Sequence, residues 1–212
     1  MAAVTKGAFH DALVLRHGKD LQEKIDHATV AVCGLGGLGS NIATALARAG
    51  IGHLILLDFD RVDVTNLHRQ QYRISQVGQP KAFAMAENLK EVNPFIQVEA
   101  HDVRLTTDNM RELLQGADFI CEAFDNPEAK AMLADFVLEQ LPKSYLIAAS
   151  GMAGLGSAND IQTRKITGHF YLCGDGKSDV SDGLGLVASR AMVCAAHQAH
   201  MVIRLLAQKT TP

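Results

Sequence analysis

Three glycines spaced as Gly34-x-Gly36-x-x-Gly39 lie in the stretch GLGGLGS, with Gly37 inside it. Between a strand and a helix, such a turn brings backbone N–H groups and the positive end of a helix against phosphate. Asp58 follows at about the separation where a dinucleotide-binding unit places the acid that accepts hydrogen bonds from a ribose diol. Beyond it runs a long polar connection, DFDRVDVTNLHRQQYRISQVGQPK, carrying Asp60, Asn66, Arg69, Arg73 and Lys81. A nicotinamide dinucleotide has no need of that load. A triphosphate does, because fixed Arg and Lys side chains hold its β and γ groups and stabilise charge moving onto a departing pyrophosphate. Further on, Asp125-Asn126 precedes Pro127. A carboxylate at the carboxyl end of a strand in a doubly wound sheet lies beside the crevice where ligands bind, and Asp125 there can hold Mg²⁺ against phosphate oxygens. Either residue also suits the N-cap of a helix opening on proline, and the two roles are compatible.

The elements that must position these groups follow from the hydrophobic pattern. TVAVC at 29–33 and HLILLD at 53–58 are short apolar runs, read as buried strands, and NIATALARAG between them reads as a helix stopped by Gly50. Strand, glycine turn, helix and strand make a βαβ unit, which requires a parallel sheet and a right-handed crossover. The alternation continues with a helix over 81–92, a strand over 95–100, a helix over 108–115, a strand over 117–121, a helix over 127–140 and a strand over 145–149. GMAGLGSAND then reads as loop, IQTRKI and HFYLC as two polar strands, and Leu184 to Gln208 as a helix with small residues along one face. The glycine run at 151–156 has no helix-forming pattern after it and is not a second nucleotide turn, although glycine there permits a narrow peptide to come close. The expected fold is α/β, a doubly wound, Rossmann-like, mostly parallel sheet with helices on both faces and a C-terminal helix. Residues 1–27 read as an N-terminal helical extension of one domain spanning 1–212.

With 20 basic against 23 acidic residues and a net charge of −3, the chain carries no large uncompensated positive field, which argues against generic nucleic-acid or anionic-membrane binding. No stretch reaches the roughly 18 apolar residues of a membrane span, and the N-terminus lacks a cleavable apolar region, so the expected location is the cytoplasm. Cys33, Cys121, Cys173 and Cys194 are far apart and form no CxxC pair. They are read as reduced thiols, with no structural zinc. His197 and His200, three apart on the last helix, lack a third ligand and read as structural.

GLGGLGS, LLDFDRVDVTNLHRQ, the lysine after QVGQP, and FDNPEAK together resemble the MoeB/ThiF family, relatives of ubiquitin-activating enzymes that adenylate the C-terminal glycine of a ubiquitin-like protein. The resemblance runs from about Thr29 to Ala149, and SGMAGLGSANDIQTRKI and the final helix are similar to short, zinc-free ThiF-type chains. It implies that Gly37 abuts the ATP phosphates, that Asp58 holds the ribose, that Asn66, Arg69 and Lys81 contact the triphosphate and that Asp125 coordinates Mg²⁺. Arg16, in VLRHG, is placed where the family has an arginine donated across a dimer interface, although the surrounding family pattern is not reproduced. The resemblance further implies a homodimer and, as partner, a ThiS-like carrier ending in Gly-Gly in thiamine thiazole synthesis. Longer members carry a sulfur-handling cysteine in a crossover segment. The nearest candidate here is Cys173, expected to be partly exposed at a strand end, with nothing nearby in sequence to lower its pKa and therefore read as a bystander thiol. Four alternatives stand beside this reading: a MoaD-like carrier, a tRNA nucleoside carboxylate as the acyl group, an NAD(P)-dependent oxidoreductase using the same glycines and Asp58, and a non-catalytic subunit that binds a ubiquitin-like protein, against which the complete set of matching polar residues argues.

Overall fold

The structure is a computed structural model, and it describes residues 4–183 and 185–212. Two helices, α1 (Lys6–His17) and α2 (Lys19–His27), lead into β1 (Thr29–Cys33), α3 (Gly39–Ala49) and β2 (His53–Asp58). The polar connection then runs to α4 (Lys81–Val92) and β3 (Gln97–Asp102). Next come α5 (Met110–Leu114), β4 (Phe119–Glu122), α6 (Pro127–Gln140), β5 (Tyr145–Ala149), β6 (Gln162–Lys165), β7 (Phe170–Gly174) and α7 (Ala188–Leu206). The sheet order is β3-β2-β1-β4-β5-β7-β6, with every neighbouring pair parallel except β6 and β7. The expected α/β doubly wound sheet is therefore what the chain forms, and its order reverses between β1 and β4. The glycine turn after β1 and Asp125 after β4 both leave the carboxyl edge at that reversal, where ligands bind in such sheets.

One face of the sheet packs Val30, Val32, Leu54 and Leu56 against Ile42, Leu46, Met85, Leu89, Val202 and Leu205 of α3, α4 and α7. The other face packs Ala31, Cys33, Ile55 and Leu57 against Met110, Leu114, Leu133 and Val137 of α5 and α6. The central strands are apolar on both faces because helices cover both sides, so their sequences show continuous runs instead of alternation. Gly50 ends α3 at φ +89°, and its amide closes onto the carbonyls of Ala47 and Leu46, as the glycine stop requires. Asn126 accepts a hydrogen bond from the Ala129 amide at 2.8 Å, and Pro127 fills the first turn of α6.

The expectations for the segment after β5 need correction. HFYLC is not a polar strand: β7 lies inside the sheet between β5 and β6, and Tyr171 and Cys173 are fully buried. Cys173, expected to be partly exposed, is sealed because β6 adds outside β7 and α7 crosses the same face. Burial pushes its thiol up to about 11. The strands expected at 95–100 and 117–121 each begin two residues later, and the last helix runs over Ala188–Leu206. Its expected start, Leu184, lies outside the described residues. No helix among the described residues is long and apolar enough to cross a membrane.

Candidate functional site

The glycine turn is built on two contacts that only glycine allows. A Cβ on Gly39 would lie 1.8 Å from the carbonyl oxygen of Gly34, and one on Gly34, at φ +91°, would lie 2.8 Å from the carbonyl oxygen of Ala123. The second contact sets the loop that carries Asp125 directly against the turn. Gly36 is different: its backbone is unstrained, and a Cβ there would meet only Gln70 Nε2, at 3.8 Å. Gly37 lies under the aliphatic stem of Arg69, whose Cγ and Cδ would be 3.3 Å from a Cβ.

The Asp58 carboxylate ties β2 to this turn. One oxygen accepts the Leu35 amide at 2.6 Å and the other the Asp60 amide at 2.7 Å, which leaves each oxygen a further lone pair. Burial raises the Asp58 pKa from its ordinary value, opposed by the nearby Lys81 and by those two amides. The Tyr72 hydroxyl donates to the Leu35 carbonyl at 2.8 Å. Burial, and then the charges of Asp58 and Asp60, push that phenol far up, so it stays a donor.

The polar connection is ordered, because its two ends are joined. Arg61 bridges to Pro80, the Val62 amide donates to the Gln79 carbonyl at 2.8 Å, and the Lys81 amide donates to the Asp60 carbonyl at 2.9 Å. Its middle is fastened to the first turn of α3. Asn41 Nδ2 donates to the carbonyls of Gly37 at 2.7 Å and Arg69 at 3.2 Å, while Gln71 Nε2 donates to Asn41 Oδ1 at 2.7 Å. Lys81, at the start of α4, is buried and reaches Asp60 Oδ2 at 2.8 Å, while Asp60 itself is half exposed. Arg69 has a buried Nε without a partner among the described residues, and its Nη1 lies 3.3 Å from His68 Nε2. Asn66 is half-buried and donates to Thr65 Oγ1 at 3.3 Å. Arg73 pairs with the Glu91 carboxylate on the surface, away from this group.

Asp125 is exposed. The loop it sits on is held by a buried ion pair: Lys130 Nζ contacts both oxygens of Glu122 at 2.8 Å and the Phe124 carbonyl at 2.9 Å, and the Phe124 amide donates to Glu122 Oε1 at 2.7 Å. Gln198 of α7 donates to the carbonyls of Glu122 and Ile147, both at 2.9 Å. Burial raises the Glu122 pKa, and Lys130 opposes that rise. Glu122, Lys130, Gln198 and Tyr72 do not stand out in the sequence. The available signal is the acid at position 122, immediately after an apolar strand, with the lysine of FDNPEAK eight residues on.

The structure thus brings Gly34, Gly36, Gly37, Gly39, Asp58, Asp60, Asn66, Arg69, Lys81, Asp125 and Asn126 to one end of the sheet, with Asn126 employed as a cap. It does not bring Arg16 there. That residue is exposed on α1, and α1 meets the domain through Phe9 on Phe95 and Leu13 on Gly50, at the amino ends of β2 and β3. Among the described residues, no group of three His, Cys, Asp or Glu side chains is arranged to hold a metal ion.

The chain is 39% identical over 129 residues to the sulfur carrier protein adenylyltransferase of Thermus thermophilus, covering 60% of this chain and 48% of that protein. It is 33% identical over 168 residues to ubiquitin-like modifier-activating enzyme 5 of Dictyostelium discoideum, covering 74% and 41%. It therefore spans under half the length of these curated relatives. Among solved structures, the E. coli tRNA N6-threonylcarbamoyladenosine dehydratase in complex with ATP has the same fold, with a TM-score of 0.87, 23% identity and 98% of each chain covered. A match that runs from α1 to the last residue, over 10–212, settles the family: this chain belongs to the ThiF family.

Proposed function

We propose that the chain activates a carboxylate with ATP. The acyl oxygen attacks the α-phosphorus, pyrophosphate leaves, and an acyl adenylate forms. The observation that carries this reading is the glycine turn at the sheet's switch point with Arg69 lying over Gly37, Lys81 reaching Asp60 from the start of α4, and Asp125 on the adjoining loop. A carboxylate nucleophile is already ionised near neutral pH, so no general base is required. What remains is alignment and stabilisation of charge on the leaving pyrophosphate. Asp58 receives the ribose through its free lone pairs. Asn66, Arg69 and Lys81 take phosphate oxygens, with Lys81 exchanging Asp60 for them. Asp125, an exposed carboxylate on the ligand edge, fits Mg²⁺, which is commonly bound through one or two carboxylates plus phosphate oxygens. When bound, the ion supplies charge neutralisation on the phosphates. A nicotinamide cofactor would engage the glycines and Asp58 but leave the cluster of Asn66, Arg69, Lys81 and Asp125 without a role.

The acyl group we assign is the C-terminal glycine of a sulfur carrier protein, because a curated relative with 39% identity is a sulfur carrier protein adenylyltransferase. Its assignment as ThiS-like and serving thiamine thiazole synthesis rests on the resemblance of SGMAGLGSANDIQTRKI and the final helix to short ThiF-type chains. Arg16 cannot serve its own subunit's site from α1, and we assign it to the site of a second copy in a homodimer. The test is ATP–pyrophosphate exchange with Mg²⁺ in three arms: a Gly-Gly-ending ThiS-like carrier, a MoaD-like carrier, and tRNA bearing a nucleoside carboxylate. Exchange with the first carrier alone is the expected result. Exchange only with tRNA would overturn the carrier assignment, and a net charge of −3 favours the protein tail over that polyanion.

Two glycines separate ligand contact from folding. Gly36→Ala is expected to leave the urea midpoint close to that of the parent, within about 0.5 kcal/mol, while abolishing nucleotide binding. Gly39→Ala drives a methyl into the Gly34 carbonyl and is expected to destabilise by about 3 kcal/mol. Cys173 is expected to take no part: a buried thiol pushed up to about 11 carries almost no thiolate at neutral pH. Cys173→Ser should keep pyrophosphate exchange within about twofold of the parent. A tenfold loss in a variant that unfolds at the parent's temperature would return the cysteine to the mechanism.

A further inference from the structure

Arg190 and Asp175 form a second buried ion pair, and it is not explained by nucleotide chemistry. The Arg190 side chain is 5% exposed and that of Asp175 is 9% exposed, with Nη2 to Oδ2 at 2.7 Å. Taking two charges out of water is costly, and apolar residues of similar size often stabilise a fold as well or better. The Arg190 Nε is also buried without a partner among the described residues. The pair is therefore a weak stability device, and what it does instead is hold two loops together.

Nη1 of Arg190 donates to the Ala153 carbonyl at 2.5 Å and to Ser178 Oγ at 3.2 Å. Asp175 Oδ1 accepts the amides of Lys177 at 2.7 Å and Ser178 at 2.9 Å. Burial works against the Asp175 charge, but those two amides and Arg190 outweigh it and hold the carboxyl well below the usual range. The loops are laced backbone to backbone, from the Asp175 amide to the Gly151 carbonyl at 2.9 Å and from the Gly176 amide to the Ser150 carbonyl at 3.0 Å. A Cβ on Gly151, at φ +81°, would lie 2.0 Å from Asp175 Oδ1, and one on Gly156 would lie 3.0 Å from Arg190 Nη2.

These loops leave the carboxyl ends of β5 and β7, and both strands run parallel to β1, so they lie on the same edge as the glycine turn. They also connect to it. The Gly154 amide donates to the Gly185 carbonyl at 3.1 Å, and His68 Nε2 lies 3.3 Å from both the Leu186 carbonyl and Arg69 Nη1. A path of direct contacts thus runs from Arg190 through Ala153 and Gly154, Gly185 and Leu186, and His68, to Arg69 in the phosphate group.

We propose that Arg190, clamped by Asp175, is a positioning residue for the adenylation step: it sets the glycine-rich strip 150–156 as the rail along which the acyl substrate's tail lies beside the α-phosphate. This rests on the reading of the chain as a carboxylate-activating enzyme. Arg190 touches no reacting atom. It fixes the height of the strip against the phosphate group: Gly151 and Gly156 let Asp175 and Arg190 close onto the strip, and Gly154, with nothing within 4 Å of where a Cβ would lie, leaves the backbone bare for a narrow tail.

The test compares Arg190→Lys and Asp175→Asn with the parent in carrier-dependent ATP–pyrophosphate exchange. Lysine keeps the charge but cannot span Ala153 and Asp175 as the guanidinium fork does. Misplacement on the order of 1 Å costs about 100-fold in such a step, so kcat/KM for the carrier is expected to fall about 100-fold while the KM for ATP stays within about twofold. Amide hydrogen exchange of residues 150–156 and 175–178 should speed up in both variants. An unchanged carrier kcat/KM, or equal losses for carrier and ATP, would overturn the positioning role. A parent protein that shows no exchange with any acyl substrate would instead overturn the reading beneath it.

Discussion

Lys81→Met is expected to lower ATP–pyrophosphate exchange by about 10²–10³-fold, the cost typical of removing one preorganised charge-stabilising group from a transition state. The same substitution should affect folding modestly, chiefly because the buried Asp58 loses the nearby positive charge that opposes the rise in its pKa. Methionine matches the apolar stem of the buried lysine, and the partner it abandons, Asp60, is half exposed and stays solvated. Activity and stability therefore separate at this position. Exchange kinetics alongside a urea titration measure both. A variant that unfolds readily yet keeps its exchange rate per folded molecule would remove Lys81 from the phosphate group.

Lys130→Met should show the opposite pattern. Glu122 is almost fully buried, and Lys130 contacts both its oxygens. Removing the lysine strands a buried carboxylate, which costs about 3–5 kcal/mol at neutral pH. The pH dependence has a definite sign. Burial already raises the Glu122 pKa above its ordinary value of 4.5, and loss of Lys130 raises it further. A carboxyl with a raised folded-state pKa binds more protons folded than unfolded, so stability is complete below the unfolded value and falls as pH rises through the folded one. The deficit of Lys130→Met relative to the parent should thus shrink as pH falls from neutral toward the ordinary carboxylate range. Unfolding free energies across that range test it, and a pH-independent deficit would show that the pair acts by packing alone.

Much of the fold could be read from sequence because the elements that matter are locally determined. TVAVC, HLILLD and YLIAA are apolar runs bounded by polar or glycine residues, and their strands fall at 29–33, 53–58 and 145–149. The helix at 127–140 is marked by Asn126 as cap and Pro127 in its first turn. What could not be read depends on partners far along the chain. HFYLC looks half polar, but β7 is buried because β6 pairs outside it and α7 covers it. Glu122 ends β4 as a buried acid only because Lys130 folds back onto it from α6. Arg190 and Asp175 are 15 residues apart, with no periodicity linking them, and their pairing exists only once β5 and β7 are parallel neighbours. For the site, the motif residues were legible, whereas the order within the polar connection was not. Its rigidity comes from Asn41 and Tyr72 bonding to backbone carbonyls elsewhere in the site.

The measurement that bears most directly on carboxylate activation is the intact mass of a Gly-Gly-ending carrier after incubation with this protein, ATP and Mg²⁺. The expected result is a carrier gaining one AMP, absent when its last glycine is removed and absent with Lys81→Met. ATP consumed with no AMP on any carrier or tRNA, and with ADP as the product, would contradict attack at the α-phosphorus and with it the assignment of this chain as a carboxylate-activating enzyme.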